Sequence, residues 1–286
     1  MVAYSKQLFD LAIETRGEAP HLLLAYLSGA PYRVGYAIRS LVPWLEVEKL
    51  AAFLTHRVPY AWDRWLEWHR VDYNLQVVAS IEAIPKDSSL VLSIPASASE
   101  RIRSFLERNG VRETHFLIGV QPGASQERKR WSIRHFAKVL DTLIERWDGL
   151  VVVIGSKQEE ALARELVSRM AHPPILAVGQ TTLLEAAALI KRCQVVICND
   201  SVVTHIASAV KTPVLTLSRS PSNFYAPYRT GGFALSRQLP CLHQGMPEGC
   251  LCPFSEYRCL QEVTPEEVLD AAEELLRSPA HCEREL

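Results

Sequence analysis

The chain has 286 residues, 48% of them apolar and 22% charged, with 31 Lys and Arg against 32 Asp and Glu. That is the balance of a globular protein with room for two ordinary domains, and a net charge of −1 supplies no bulk field to recruit nucleic acid or an anionic membrane. No apolar run reaches the roughly 18 to 20 residues that span a bilayer, and the start Met1-Val2-Ala3-Tyr4-Ser5-Lys6 lacks a signal-peptide pattern, so a cytoplasmic location is expected.

In chain order, residues 1–95 are rich in tryptophan and read as mixed helix and short strand. Phe9 to Glu14 has the alternation of a half-buried strand. Pro20 to Leu27 suggests a helix that stops near Ser28-Gly29. Trp62, Trp65, Leu66 and His69 recur at helical spacing, a stripe that reads as core packing. Leu90 to Ile94 reads as a further strand, running into Pro95-Ala96-Ser97-Ala98-Ser99-Glu100 as linker and N-cap of a helix through Phe105 and Leu106. The composition shift there separates an expected first domain, 1–95, from a second, 96–286.

From Phe116 the rhythm becomes regular. Strands are expected at Phe116 to Val120, Leu150 to Gly155, Ile175 to Val178, Val195 to Cys198 and Pro213 to Leu217. Helices are expected at Ile133 to Trp147, Glu159 to Met170, Leu183 to Lys191 and just after Asn199-Asp200-Ser201. The last helix, Pro265 to Arg277, has Thr264 as N-cap, Pro265 at its first position and acids in its first turn. Short apolar strands alternating with helices of about a dozen residues imply an α/β, doubly wound parallel sheet.

In such a sheet, ligands bind outside the carboxyl ends of the strands. Three loops there carry polar groups. Gln121 to Trp131 holds Gly123, Ser125 and the point charge of Lys129. Gly179-Gln180-Thr181-Thr182 is followed by Glu185, a carboxylate able to accept from ribose hydroxyls, or an acid favoured by the helix dipole alone. Asn199-Asp200-Ser201, with His205 one turn later, sits where free helix N–H groups favour an anion, although the same residues cap helices without any ligand. Together the loops offer a cation, hydroxyls, a carboxylate and a helix N-terminus, which a nucleotide diphosphate needs.

Seven cysteines is an odd count. Cys193 and Cys198 flank an expected buried strand and read as core thiols. Cys241, Cys250, Cys252 and Cys259 crowd together near His243, close enough to hold zinc, but their spacing matches no standard ribbon or finger. Reduced thiols pinning a long loop are the expected reading, with a metal-stapled scaffold as the alternative.

The set Pro122-Gly123-Ala124-Ser125 with Lys129 and Trp131, Gly179 to Glu185, and Asn199-Asp200-Ser201 with His205-Ile206-Ala207 resembles glycosyltransferase family 9, the ADP-heptose:lipopolysaccharide heptosyltransferases. Cys259 to Val268, Leu27 to Tyr36 and Phe9 to Gly17 are similar to other segments of that family. The resemblance implies a GT-B-like fold, two Rossmann-like domains with parallel sheets, the N-terminal one receiving an acceptor and the C-terminal one holding a nucleotide-diphosphate sugar, ADP-heptose-like. It implies donor contacts from Ser125, Lys129, Glu185, Asp200, Ser201 and His205, and an inverting, metal-independent transfer to a lipopolysaccharide or other cell-envelope glycan without a cofactor. Contact with the inner membrane face would be peripheral, through the acceptor.

Two departures from the family pattern stand out. The family's candidate base is an Asp in a glycine-containing loop after the first strand, and this chain begins inside that domain, so the N-terminal domain is expected to be incomplete, its catalytic residue unassigned and its open edge covered by upstream chain or a dimer contact. Val202-Val203 replaces the usual small pair after Asp-Ser, where a β-branched side chain would crowd a phosphate. The alternative is therefore a non-catalytic nucleotide-sugar-binding or interaction protein derived from the family.

Overall fold

A computed structural model describes residues 9–37, 50–60, 67–219, 223–237, 239 and 257–277, and the chain divides between Ser88 and Ser89 into two units. The first contains three strands, β1 (Leu11–Glu14), β2 (Tyr32–Ala37) and β3 (His56–Pro59), paired in parallel in that order. Parallel neighbours require a crossover. Helix α1 (Ala19–Leu27) makes the one from β1 to β2, opening with Pro20, whose missing N–H is not needed there.

A second helix, α2 (Arg70–Ala79), packs on β1 and β2. His69 does not continue a helical stripe. It is the N-cap of α2, its Nδ1 accepting from the Val71 N–H at 3.0 Å while Asp72 reaches back to the His69 N–H at 2.9 Å. The ring has an acceptor at the right reach, so a cap overrides the apparent periodicity. Trp62, Trp65 and Leu66 lie outside the described residues.

Glu14 ends β1 with its side chain buried, its carboxylate accepting from the N–H groups of Arg16 at 2.6 Å and Gly17 at 2.7 Å. Burial pushes its pKa above the ordinary carboxylate value, against the pull of those two N–H groups. Gly17 has φ +72°, and Gly35, opposite Glu14 in the register, leaves no room for a side chain, because an added Cβ would lie 2.7 Å from the Glu14 carbonyl oxygen. Tyr36 and Tyr73 are fully buried, and Tyr73 stacks on Tyr60 with ring centroids 4.6 Å apart. Among the described residues β1 is an edge strand, and Phe9, Leu11, Ile13 and Leu24 are exposed beside it, as are Leu23 and Leu27 of α1.

In the second unit, the strands are β4 (Phe116–Gln121), β5 (Gly149–Val153), β6 (Ile175–Leu176), β7 (Val195–Asn199), β8 (Val214–Leu217) and β9 (Phe233–Leu235). All pair in parallel, in the order β6-β5-β4-β7-β8-β9. Six helices belong to it among the described residues: α3 (Ala96–Arg108), α4 (Ile133–Trp147), α5 (Glu160–Arg169), α6 (Leu183–Arg192), α7 (Val202–Val210) and α9 (Pro265–Arg277), with the single turn α8 (Arg258–Gln261) before the last.

The strand period of two sends successive side chains to opposite faces. Ile118, Val120, Val151, Val153, Val195 and Ile197 meet α4, α5 and α9 on one face. Leu117, Val152, Val196 and Cys198 meet α3, α6 and α7 on the other. Each fully buried side chain of this size stabilises the fold by about 1.5–3 kcal/mol. Cys193 and Cys198 are core thiols, and burial pushes their pKa up, to about 12 and about 11. Thr264 and Glu267 form the cap of α9 reciprocally, at 2.8 and 3.2 Å.

Leu90 to Ile94 forms no strand. Leu92 and Ile94 instead lay one side of an extended segment on the α3–α6–α7 core, and that one-sided burial produced the alternation in the sequence.

Candidate functional site

The order of the larger sheet reverses between β4 and β7. From β4 the chain winds outward to β6, then returns to β7 on the other side. The helix after β4 covers one face and the helix after β7 the other, so their loops diverge and leave a crevice at the carboxyl ends. Asn199, the last residue of β7 and fully buried, closes the floor of it. Its Nδ2 donates to the Pro122 carbonyl at 2.7 Å and its Oδ1 accepts from the Trp131 N–H at 3.0 Å. One side chain therefore ties both ends of the β4 loop to β7.

Within that loop, Glu127–Lys129 form a 3-10 turn that directs Lys129 inward. Its Nζ lies 3.7 Å from Asp200 Oδ2, and both side chains are about one-fifth exposed. The pair is long for an ion pair and reachable by solvent, so the cation keeps hydrogen-bonding capacity for a further anion. Ser201 is the N-cap of α7, its Oγ accepting from the Val203 N–H at 3.3 Å. The same hydroxyl donates to Gln121 Oε1 at 2.9 Å, and Gln121 Nε2 donates to Glu159 Oε1 at 2.8 Å.

His205 stands one turn into α7. Burial lowers its pKa below the ordinary imidazole value, while the Asp200 charge pulls the other way. Burial therefore favours the neutral ring, in which one nitrogen donates and the other accepts. Val202, the first residue of α7, is 58% exposed and presents an isopropyl group beside Asp200 and Ser201.

The remaining expected residues are placed differently. Ser125 is exposed on the β4 loop. Glu185 follows β6, two strands from β4, where it completes a capping box with Thr182, accepting its N–H at 2.7 Å, and pairs with Arg101 Nε at 2.9 Å. The Thr182 N–H, more than the Arg101 charge, holds its carboxyl below the usual range. Lys129, Asp200, Ser201 and His205 are gathered at the switch point, and Glu185 marks a separate position along the same edge. Of the cysteine group, Cys241, Cys250 and Cys252 lie outside the described residues, and Cys259 is buried with its Sγ donating to the Arg219 carbonyl at 3.1 Å.

Gln121, Glu159 and Arg101 were not singled out from the sequence. Gln121 ends a strand, Glu159 stands at a helix start and Arg101 lies within α3, but their partners here are 38 to 84 residues away.

A six-stranded parallel sheet with helices on both faces, and with Lys129, His205 and the N-terminus of α7 at its switch point, is a Rossmann-like unit. The sequence profile of glycosyltransferase family 9 (heptosyltransferase) matches residues 4–251, and the chain belongs to that family. Lipooligosaccharide heptosyltransferase 2 of Haemophilus influenzae is 30% identical over 215 residues, 71% of this chain and 60% of that protein. Lipopolysaccharide heptosyltransferase 2 of Escherichia coli K12 is 28% identical over 280 residues, 94% of this chain and 76% of that one. The chain thus spans less than two thirds of the Haemophilus relative.

Among solved structures, a family 9 glycosyl transferase from Veillonella parvula superposes with a TM-score of 0.72 at 24% identity, covering 95% of this chain and 74% of that one. An E. coli heptosyltransferase solved with ADP-2-deoxy-2-fluoro heptose superposes with a TM-score of 0.61 at 17% identity, covering 94% and 73%. The fold is GT-B-like, two Rossmann-like units with parallel sheets, the first bearing the smaller one. No helix among the described residues is long and apolar enough to cross a membrane.

Proposed function

We propose that the chain transfers a heptose-like sugar from a nucleoside diphosphate donor to a lipopolysaccharide or related cell-envelope glycan. The observation that carries this reading is the Lys129–Asp200 pair at the mouth of the β4–β7 crevice, beside the N-terminus of α7. Residues 89–286 would hold the donor, with Lys129 and the α7 N-terminus on the diphosphate, His205 beside the donor sugar, Ser125 at the loop edge and Glu185 toward the nucleoside. Residues 1–88 would take the acceptor. In an inverting displacement the acceptor oxygen bonds to the anomeric carbon as the bond from that carbon to the diphosphate breaks. The electron pair leaves with the diphosphate, Lys129 meets the growing charge, and the acceptor proton passes to a general base to which no residue is assigned. Neither a metal nor a cofactor enters this scheme.

Thermal unfolding with ADP and other nucleoside diphosphates tests it. A ligand bound only to the folded state at about 100 times its Kd adds about 2.7 kcal/mol, or about 5–10 °C for a unit of this size. Such a shift with ADP, followed by sugar transfer from ADP-heptose, is expected; the absence of a shift with every nucleotide would overturn the reading.

The exposed Val202 favours one alternative, a relative that binds a partner and has lost the chemistry. On that alternative ADP binds weakly to the native chain and Val202→Gly tightens it, whereas an enzyme fitted to its own donor gains nothing from the change. The exposed apolar residues around β1 also support a contact at that edge, by a second copy or by further chain. Sedimentation velocity should show a dimer or self-association of this chain, and a monomer at all concentrations would remove the dimer.

A further inference from the structure

We propose that Glu159 is the positioning residue of the donor crevice, acting through a directed chain of hydrogen bonds that runs Glu159–Gln121–Ser201–α7. The inference rests on the donor-site reading above and adds a residue that reading does not contain.

Glu159 lies just after β5, outside both loops of the switch point. Its Oε2 accepts from Ser156 N at 2.7 Å and Ser156 Oγ at 2.8 Å, and its Oε1 accepts from Gln121 Nε2 at 2.8 Å. An ionised carboxylate can only accept, so the Gln121 amide must turn its NH2 toward Glu159 and its carbonyl toward Ser201. The Ser201 hydroxyl must then donate its single hydrogen to Gln121 Oε1, at 2.9 Å, which leaves a lone pair for the Val203 N–H at 3.3 Å. The direction of every bond in the chain is set by the charge at its far end.

Two consequences follow for a ligand at the crevice. The Ser201 hydroxyl hydrogen is committed inward, so Ser201 meets a diphosphate only through backbone and position, as the cap that holds the first turn of α7. The carboxyl ends of β5, β4 and β7 are also locked in register by one chain, fixing where Lys129 stands relative to the α7 N–H groups. Packing shows how tightly the carboxylate is held. A Cβ added to Gly123 would fall 1.5 Å from Glu159 Oε1 and 2.9 Å from Gln121 Nε2, and one added to Gly155 would fall 3.2 Å from Glu159 Oε2. Gly123, in the loop that carries Lys129, has no side chain because the Glu159 carboxylate occupies that space.

The test compares ADP binding by isothermal titration with thermal unfolding of the unliganded protein, in wild type, Glu159→Gln, Ser201→Ala, the double variant and Gly123→Ala. Glu159→Gln keeps the shape but can present an NH2 to Gln121 or Ser156, so the direction of the chain is lost. ADP affinity should fall about 10-fold, equivalent to about 1.4 kcal/mol, at a temperature where the variant remains folded. Ser201→Ala should fall by a similar factor, and the double variant should lose no more than the worse single one, because both break the same chain. Gly123→Ala should reproduce the loss by evicting the carboxylate.

A lowered unfolding midpoint with unchanged ADP affinity would make Glu159 merely structural and overturn the inference. Additive losses in the double variant would overturn it as well. Wild type that binds no ADP would sink the donor-site reading and this inference with it, whereas wild type that binds and Glu159→Gln that binds equally well sinks only the inference.

Discussion

Lys129→Ala should weaken ADP binding by about 10- to 100-fold, or about 1.4–2.7 kcal/mol, while moving the unfolding midpoint by no more than about 4 °C. The two effects separate because the side chain has two environments. In the unliganded protein its partner is Asp200, 3.7 Å away and partly exposed, and ion pairs of that kind contribute about 0–1 kcal/mol. With a diphosphate in the crevice the same ammonium faces formal negative charge in a site from which the ligand has displaced water, and its removal leaves that charge against Asp200 alone. Ionic strength gives an independent reading: wild-type affinity should fall with added salt, and the variant should lose part of that slope. Lys129→Arg should recover the salt dependence but only part of the affinity, since a planar fork does not fit a place shaped for a point charge. A Lys129→Ala protein that binds ADP as tightly as wild type would remove Lys129 from the donor site and leave its pairing with Asp200 as its whole role.

What the sequence made legible is what depends on neighbours in the chain. The cap of α6 by Thr182 and Glu185 and that of α9 by Thr264 and Glu267 span three residues each, and both are formed. The apolar runs of β4, β5, β7 and β8 are continuous because both faces of a parallel strand are covered, and the winding of the sheet follows from their alternation with helices. Local patterns fail where two causes leave the same mark. Leu90, Leu92 and Ile94 alternate as a strand does, yet the segment is extended packing against a finished face. His69 falls on a helical spacing but caps the helix that starts after it. Glu185 shows the same ambiguity at the site: a carboxylate in a first helical turn fits ribose recognition and capping equally, and the structure shows it capping and pairing with Arg101, 84 residues earlier. The Glu159–Gln121–Ser201 chain joins residues 38 and 80 positions apart. No spacing rule reaches that far, and only the strand order, by placing β5, β4 and β7 side by side, brings the three together.

The largest loss of stability is expected from Trp131→Ala, because Trp131 joins the crevice to the closing helices. The side chain is 2% exposed, set edge-on to Phe136 with centroids 5.1 Å apart, and its Nε1 donates to the Val263 carbonyl at 2.9 Å. Val263 lies between α8 and α9, so this bond, with that from Gln261 Nε2 to the Arg130 carbonyl at 2.8 Å, anchors the last helices over the β4 loop. Truncation removes a large apolar surface, leaves a cavity and strands a buried carbonyl, a combination that costs about 3–5 kcal/mol. For a unit of this size that is a fall of about 6–20 °C in the unfolding midpoint. Trp131→Phe keeps most of the ring against Phe136 and loses chiefly the N–H, so about 1–2 kcal/mol should be lost, which separates packing from the hydrogen bond. The backbone N–H of Trp131 also holds Asn199 Oδ1, the clip between the β4 loop and β7. Loosening the side chain should therefore lower ADP affinity even well below the unfolding midpoint. A Trp131→Ala chain with a midpoint within 2 °C of wild type would show that α9 is held by its contacts with α4 and the sheet alone, and that the β4 loop keeps its shape without it.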